Sequence, residues 1–467
     1  MRESFQGMRF STLIPVALGV LTGLPPASGA DAPATPPDPE IQAIVSEISA
    51  ERIQRTVYVL ASFKTRHTLS DPLPSGDGIG GACAWIRAEF ERASVASGGR
   101  LQVELDSFVQ KPVAPRIPRP VTIVNVVATL PGSRPGSAGR IYVMSGHYDS
   151  IINDVLDAKS PAPGADDDAS GVAAVLEAAR VMSSREFGAT IIFMAVAGEE
   201  QGLNGSTHWA GQAREKGLDI AGMLDDDIVG NTRGPDGRID RQTLRLFAQG
   251  LPARARLDDS LVDLIRNGGE NDSPPRELAR AVRDIAGIYV PSINLKLVYR
   301  TDRYLRGGDQ MPFLDQGYPA VRFTEPAEDF RREHQAVRVE NGVKYGDTPD
   351  QVDYAYTADV TRVNAAALAA LARAPSSPRD VQIETARLEN DTTLRWTPNA
   401  EPDLAGYRIV WRETTAPFWE HAIDVPKDVT RKTIPGLSKD GVVFGVEAFD
   451  GDGHVSPASF PKPRRTL

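Results

Sequence analysis

The chain of 467 residues is 41% hydrophobic and 24% charged, enough to bury more than one core, which excludes a disordered or fibrous protein. Its formal net charge of -10 argues against a nucleic-acid partner and offers no basic face to an anionic membrane. A single cysteine, Cys83, excludes internal disulfides.

In chain order, Arg2 and Arg9 flank an apolar stretch from residue 13 to 24, which runs into Pro-Pro-Ala-Ser28-Gly-Ala30. Small residues before Ala30 are those a signal peptidase reads, so residues 1–30 are expected to be an export signal, and the protein secreted or periplasmic. The apolar stretch is too short to span a bilayer comfortably, and no later one is long enough for an integral membrane span. Residues 31–39 form a proline-rich linker. Helical periodicity starts at Glu40, with Ile41, Ile44, Val45 and Ile48 on one face, followed by Val57, Leu60 and Phe63. Cys83 falls in an apolar helical run and reads as a buried, inert thiol. Strands are predicted at residues 121–127, 141–144, 190–196 and 319–323, and helices at about 170–182, 204–215 and 357–373. That alternation predicts an α/β domain over residues 40–374, a mixed, largely parallel sheet with helices on both faces.

After Pro375 the pattern changes to short runs at strand period, separated by Pro, Asn, Asp and Gly turns. Residues 376–467 resemble a fibronectin type III β-sandwich, on Trp396, Tyr407 and the alternation of Phe444, Val446 and Ala448. Val442 stands where that family usually has a tyrosine, so its corner hydrogen bond is expected to be absent. Spacing, stability or adhesion to a polymer or the cell surface is the role expected of such a module.

Three acid-rich segments follow apolar runs: Gly-His147-Tyr-Asp149-Ser, Pro-Gly-Ala-Asp166-Asp167-Asp168-Ala-Ser-Gly171 and Ala-Gly-Glu199-Glu200-Gln-Gly. In open α/β sheets the strand ends are where ligands bind. Gathering so many carboxylates without a cation would cost several kcal/mol per buried charge, roughly. Imidazole with carboxylate suits zinc, and cobalt or manganese would tolerate the same donors. His147 alone reads equally well as a structural histidine; Asp149 beside it could take the second ring N–H of a metal-bound imidazole. The aspartate run reads either as a solvated loop or as acids at a helix N-terminus, where one carboxylate can bridge two cations. The paired glutamates allow one to bind metal while the other moves a proton.

Together with Gly-Glu199-Glu200-Gln-Gly-Leu-Asn-Gly-Ser206, Leu224-Asp-Asp-Asp227-Ile-Val-Gly, Gly308-Asp309-Gln-Met-Pro-Phe-Leu-Asp-Gln-Gly-Tyr-Pro319-Ala and His334, these motifs resemble the secreted bacterial co-catalytic di-zinc aminopeptidases, relatives of leucyl aminopeptidases and glutamate carboxypeptidase. The resemblance covers about residues 40–374. It implies two zinc ions, one held by His147 and Asp227, the other by Glu200 and His334, with Asp167 bridging. It implies Glu199 as general base and Asp149 as the partner of His147. Asp227 is taken from the run 225–227 because Ile-Val-Gly follows it as apolar residues follow the family's ligand. His334 takes the last histidine position because it follows the predicted strand at 319–323 and an acid-rich loop. Among the other histidines, His421 and His454 lie in the sandwich, His67 precedes the sheet, and His208 is expected at the surface of a helix.

The resemblance also implies a tyrosine that helps hold the oxyanion; Tyr304 lies nearby, displaced by one position. A peptide or protein substrate is expected, cut at its N-terminal residue. Arg303 and Arg306 leave a carboxypeptidase or dipeptidase open, since guanidinium groups clamp carboxylates; a surface salt-bridge pair is their other reading. Glutaminyl cyclases and non-catalytic binding proteins of the same fold are the remaining alternatives. The family's loop disulfide cannot form with one cysteine.

Overall fold

A computed structural model describes residues 36–252 and 258–464. The expected export signal and residues 31–35 of the linker lie outside the described residues. The first helices are α1 (Pro39–Glu47), α2 (Ala50–Ser62) and α3 (Ile79–Ala96). The periodic run that begins at Glu40 is broken after Glu47. Ser49, extended, accepts the N–H of Arg52 and starts a new helix. Cys83 is buried within α3.

The sheet and its helices follow: β1 (Gln102–Gln110), β2 (Val121–Leu130), β3 (Arg140–His147), α4 (Ala169–Met182), β4 (Thr190–Val196), α5 (Asn204–Glu215), β5 (Asp219–Asp226), β6 (Thr243–Ala248), α6 (Asp259–Arg266), α7 (Pro274–Tyr289), β7 (Asn294–Val298), α8 (Gln310–Asp315) and β8 (Ala320–Thr324). A small hairpin, β9 (Arg338–Glu340) and β10 (Val343–Tyr345), precedes α9 (Tyr354–Arg373). The strand order is β1-β2-β4-β3-β5-β8-β6-β7. β4, β3, β5 and β8 run parallel at the centre, and β2 and β6 attach to them antiparallel.

Alternation along β3 explains the layers. Tyr142 and Met144 pack into one cluster with α2, α4, α7 and α9, while Ile141 and Val143 pack on the other face with Trp209 of α5 and Phe313 of α8. α4 is buried almost all round, as a helix rich in alanine and valine can be when covered on both sides. Among the described residues, no helix is long and apolar enough to cross a membrane.

The C-terminal strands are β11 (Arg379–Glu384), β12 (Thr392–Thr397), β13 (Leu404–Glu413), β14 (His421–Pro426), β15 (Arg431–Ile434), β16 (Val442–Asp450) and β17 (Lys462–Arg464). They form two sheets, β15-β12-β11-β17 and β14-β13-β16. Leu394 and Trp396 of the first meet Tyr407, Ile409, Phe444 and Val446 of the second in one core. Trp396 and Tyr407 meet edge to face with centroids 5.2 Å apart. The buried Tyr407 hydroxyl accepts the Asn399 N–H at 2.7 Å, a backbone bond made from β13.

Candidate metal centre

The site is built where the central parallel strands end. β3 ends at His147, β4 leads through Gly198 to Glu199 and Glu200, and β5 leads to Asp227. The loop after β8 carries His334. Between β3 and α4 the three aspartates divide their work. Asp168 caps α4, its carboxylate accepting the N–H of Gly171 at 2.9 Å and of His147 at 3.0 Å. Asp166 turns back and accepts the Gly230 N–H at 2.7 Å. Asp167 is left facing the histidines.

His147 Nε2 lies 3.1 Å from Asp167 Oδ1 and 3.9 Å from Asp227 Oδ1. His334 Nε2 lies 3.0 Å from Asp167 Oδ2 and 3.1 Å from Glu200 Oε2. Each trio can hold a cation, and they share Asp167 through one oxygen apiece. Glu200 Oε1 is buried with no hydrogen-bond partner, a position that suits a metal-bound carboxylate. Imidazole and carboxylate donors in this set fit zinc. His147 and His334 in turn hold the buried Asp167 carboxyl well below its usual range. Burial pushes Glu199 well above its usual range, and Glu200, Asp227 and Asp309 add to that.

Asp149 faces His147 Nδ1, but its backbone oxygen, at 3.2 Å, is nearer than its carboxylate, at 3.6 Å. The carboxylate accepts the N–H groups of Glu199 and Glu200, both at 3.2 Å, and the Thr68 hydroxyl at 3.1 Å. Asp149 therefore orients the glutamate turn as well as the imidazole, a role the sequence did not suggest.

A cavity of about 570 Å³ opens onto the metal residues, and Arg116, Leu203, Ile228, Arg303, Leu305, Arg306 and Met311 complete its wall. Leu203, Ile228, Leu305 and His334 all have φ between 50° and 60°, the left-handed region that costs a side chain roughly 1–3 kcal/mol and clusters at functional sites.

Tyr304 does not join this wall. It is 82% exposed, with Arg300 over its ring at 4.2 Å. Arg303 and Arg306 both turn to Glu328, at 2.8 and 2.6 Å, and of the two residues between them Leu305 lines the cavity while Tyr304 does not. The expectation of Tyr304 as an oxyanion donor is thus overturned. Nor are Arg303 and Arg306 an isolated surface pair: they line the cavity, and Arg306 also binds Glu333 at 3.0 Å. His208 is half-buried rather than on the surface, stacked on Phe108 at 3.9 Å. His67 is buried, its Nε2 3.0 Å from the Val155 carbonyl.

Several residues of the site went unread in the sequence. Arg116 donates to the Glu200 carbonyl. Arg322 lies fully buried 2.9 Å from Asp227 Oδ1. Buried Asp309 accepts the Ser206 hydroxyl. Asp309 and Ser206 stand in the quoted motifs without a role assigned to them, and Arg322 left a signal of its own, a charge inside the apolar run Ala-Val-Arg-Phe, which demands a buried counter-charge.

The model of a family described as Peptidase family M28 matches residues 125–371. A probable zinc metalloprotease of Leptosphaeria maculans is 49% identical over 427 residues, covering 91% of this chain and 98% of its own. A second, from Pyrenophora teres f. teres, is 46% identical over 441 residues, covering 94% and 90%. These relatives are fungal, so the likeness drawn from sequence to bacterial enzymes gives way to the family as a whole. Among solved structures, an aminopeptidase from Aneurinibacillus sp. strain AM-1 matches with a TM-score of 0.49 at 16% identity, covering 72% of this chain and 96% of that one.

Proposed function

The chain belongs to peptidase family M28, and from that premise we propose that it is a zinc exopeptidase which removes N-terminal residues from peptides. The observation that carries this reading is the pair of histidine and carboxylate trios sharing Asp167. His147, Asp167 and Asp227 would hold one zinc, and Asp167, Glu200 and His334 the other. Bound there, zinc supplies positive charge that polarises a peptide carbonyl and acidifies water. Glu199, at the edge of the cavity and held protonatable by its burial, takes the proton of the attacking water and delivers it to the leaving amine. Asp149 fixes the backbone of Glu199 so that the carboxylate is aimed before substrate arrives.

The acidic floor suits a free α-amino group. Arg303 and Arg306 have their charge matched by Glu328 and Glu333, which leaves them a weak clamp for a substrate carboxylate. Arg116 supports the second reading, a carboxypeptidase or dipeptidase, since it lines the cavity and bonds a carbonyl rather than an acid. The presence of both trios speaks against a one-zinc cyclase. Export on the strength of residues 1–30, and a fibronectin type III-like identity for the sandwich with a spacing, stabilising or adhesive role, are part of the same proposal.

Hydrolysis of aminoacyl-anilides beside N-blocked dipeptides tests it, with the purified protein and with Glu199→Gln, before and after chelation and return of zinc. Release from free-amine substrates, lost on chelation and in the variant, is expected. Cleavage of the blocked dipeptides alone would move the reading to a carboxypeptidase, and cleavage of neither would end the peptidase reading.

A further inference from the structure

The residues that wall the cavity at Arg303 and Arg306 are fixed from two sides. From within, Arg322 donates to Asp302 Oδ2 at 3.0 Å and to the Gly307 carbonyl at 2.7 Å, and Gln310 donates to the Thr301 carbonyl at 3.2 Å. From without, the wall meets the C-terminal sandwich. Residues 414–420, which join β13 to β14, lie on α7 and on Tyr299, the residue that opens the wall segment. The Pro417 carbonyl accepts both the Tyr299 hydroxyl, at 3.1 Å, and Arg280 Nε, at 2.9 Å. Trp419 Nε1 donates to Glu277 at 3.2 Å, and Arg283 lies over the Phe418 ring at 3.6 Å. The Tyr299 ring sits beneath Arg276, 4.6 Å from its centroid.

Arg412 on β13 ties this contact together. It is buried and donates to both oxygens of Asp272, at 2.7 and 2.8 Å, while Arg280 donates to the same carboxylate at 2.9 Å. The same guanidinium also donates to the Ala416 carbonyl at 2.7 Å, which shapes the 414–420 loop itself. Arg412 reaches both Asp272 oxygens through Nη2 and the Ala416 carbonyl through Nη1, so the buried guanidinium is held at two points and transmits position where a mobile surface pair would not.

We propose that the C-terminal sandwich is a working part of the substrate site: its 414–420 loop, set by Arg412, holds Tyr299 and so fixes the cavity wall that Arg303, Leu305 and Arg306 line. Arg412 and Tyr299 are positioning residues that touch no substrate. The kinetic half of this inference rests on the peptidase reading above; the mechanical half does not.

The test uses the full chain with Arg412→Ala and, because that change could weaken the whole fold, also Tyr299→Phe, which removes only the hydroxyl. Amide hydrogen exchange is followed over residues 299–308 and over α4, and zinc content, kcat and KM are measured on an aminoacyl-anilide. Expected is faster exchange at 299–308 with α4 and zinc content unchanged. KM should rise about three- to tenfold while kcat moves less than about twofold, the pattern of lost binding rather than lost chemistry. Unchanged exchange at 299–308 in both variants would overturn the proposal. So would faster exchange spread equally through α4, or a loosened 299–308 with KM unaltered. Should the protein hydrolyse nothing, the exchange result still decides whether the sandwich braces the wall, and only the peptidase reading falls.

Discussion

The Asp347 carboxylate accepts the backbone N–H of Asp167 at 2.8 Å, across 180 residues of chain, and that of Asp166 at 2.9 Å. The residue proposed to bridge two metals is therefore held in place, through its backbone, by a buried acid that is a member of neither trio. Asp347→Ala leaves two buried N–H groups without an acceptor and frees the Asp167 backbone to shift. Zinc affinity is expected to fall by roughly 10–100-fold, the usual cost of losing a group that orients a ligand. Competition with a chromogenic chelator measures it; wild-type affinity in the variant would show that the Asp167 backbone is fixed by its other neighbours.

Arg322 is a fully buried charge behind the site, with Asp227 Oδ1 at 2.9 Å on one side and Asp302 Oδ2 at 3.0 Å on the other. Burial disfavours its cation, yet these carboxylates and Asp225 push its pKa well above the ordinary value. Arg322→Met would strand Asp227 without its arginine and leave Asp302 with Arg303 alone, at 3.0 Å, a loss of about 3–5 kcal/mol for a broken buried pair. A lower urea midpoint with an unchanged slope is the expected signature. Arg322→Lys should recover only part of it, because a single ammonium cannot span both carboxylates in the guanidinium's geometry. A midpoint equal to wild type would remove Arg322 from the framework of the site.

Much of this centre could be read in the sequence because its residues sit at punctuation marks. His147, Glu199 and Glu200 follow apolar runs that can only be buried strands, and the 190–196 strand and 204–215 helix fall where the pattern places them. Long-range pairings left no such trace. Asp347 meets Asp167 and Arg322 meets Asp302 only after the chain has folded, and nothing local distinguishes Asp347 from a solvated acid. β1 went unread since its apolar positions are diluted by exposed polar ones, as befits an edge strand. The break at Ser49 was hidden because Ile48, just beyond α1, is buried in the same core as Ile41 and Ile44 and prolongs the periodic pattern. Tyr304 failed for a different reason: closeness in chain says nothing of direction, and its ring lies exposed beneath Arg300 while its neighbours Arg303 and Leu305 line the cavity.

With Asp167, Glu200 and Asp227 buried together, the protein without cations carries repulsion that bound zinc would relieve. Chelated protein is expected to melt at a lower temperature than protein with excess zinc, by the equivalent of about 4 kcal/mol at a thousandfold excess over Kd. His334→Ala should halve the zinc content, retaining the ion held by His147 and Asp227. Equal melting temperatures with and without chelator would count against any structural metal here, and full zinc content in His334→Ala would remove His334 from the ligand set.

Another buried histidine lies far from this chemistry in the chain. His454 lies between Asp450 Oδ2, at 2.8 Å, and Asp38 Oδ2, at 2.9 Å, and so ties the sandwich to the cap of α1. Carboxylates at both ring nitrogens require both to donate, hence an imidazolium. Burial opposes that charge, but Asp450 and Asp38 outweigh it and raise the pKa above 6.5. Because the folded value exceeds the unfolded one, the unfolded chain loses its proton first as pH rises. The stabilisation is therefore complete below 6.5 and disappears as pH climbs through the folded value. At the acid end, Asp38 and Asp450 have pKa values lowered below 3.8 despite burial, so their share is lost only as pH falls through those lower values. Melting temperatures of the wild type and of His454→Gln, measured across this range, should converge as pH climbs past the raised folded value and separate most below 6.5, while both carboxylates stay ionised. Parallel curves at every pH would mean that the imidazolium contributes no net stability to the junction.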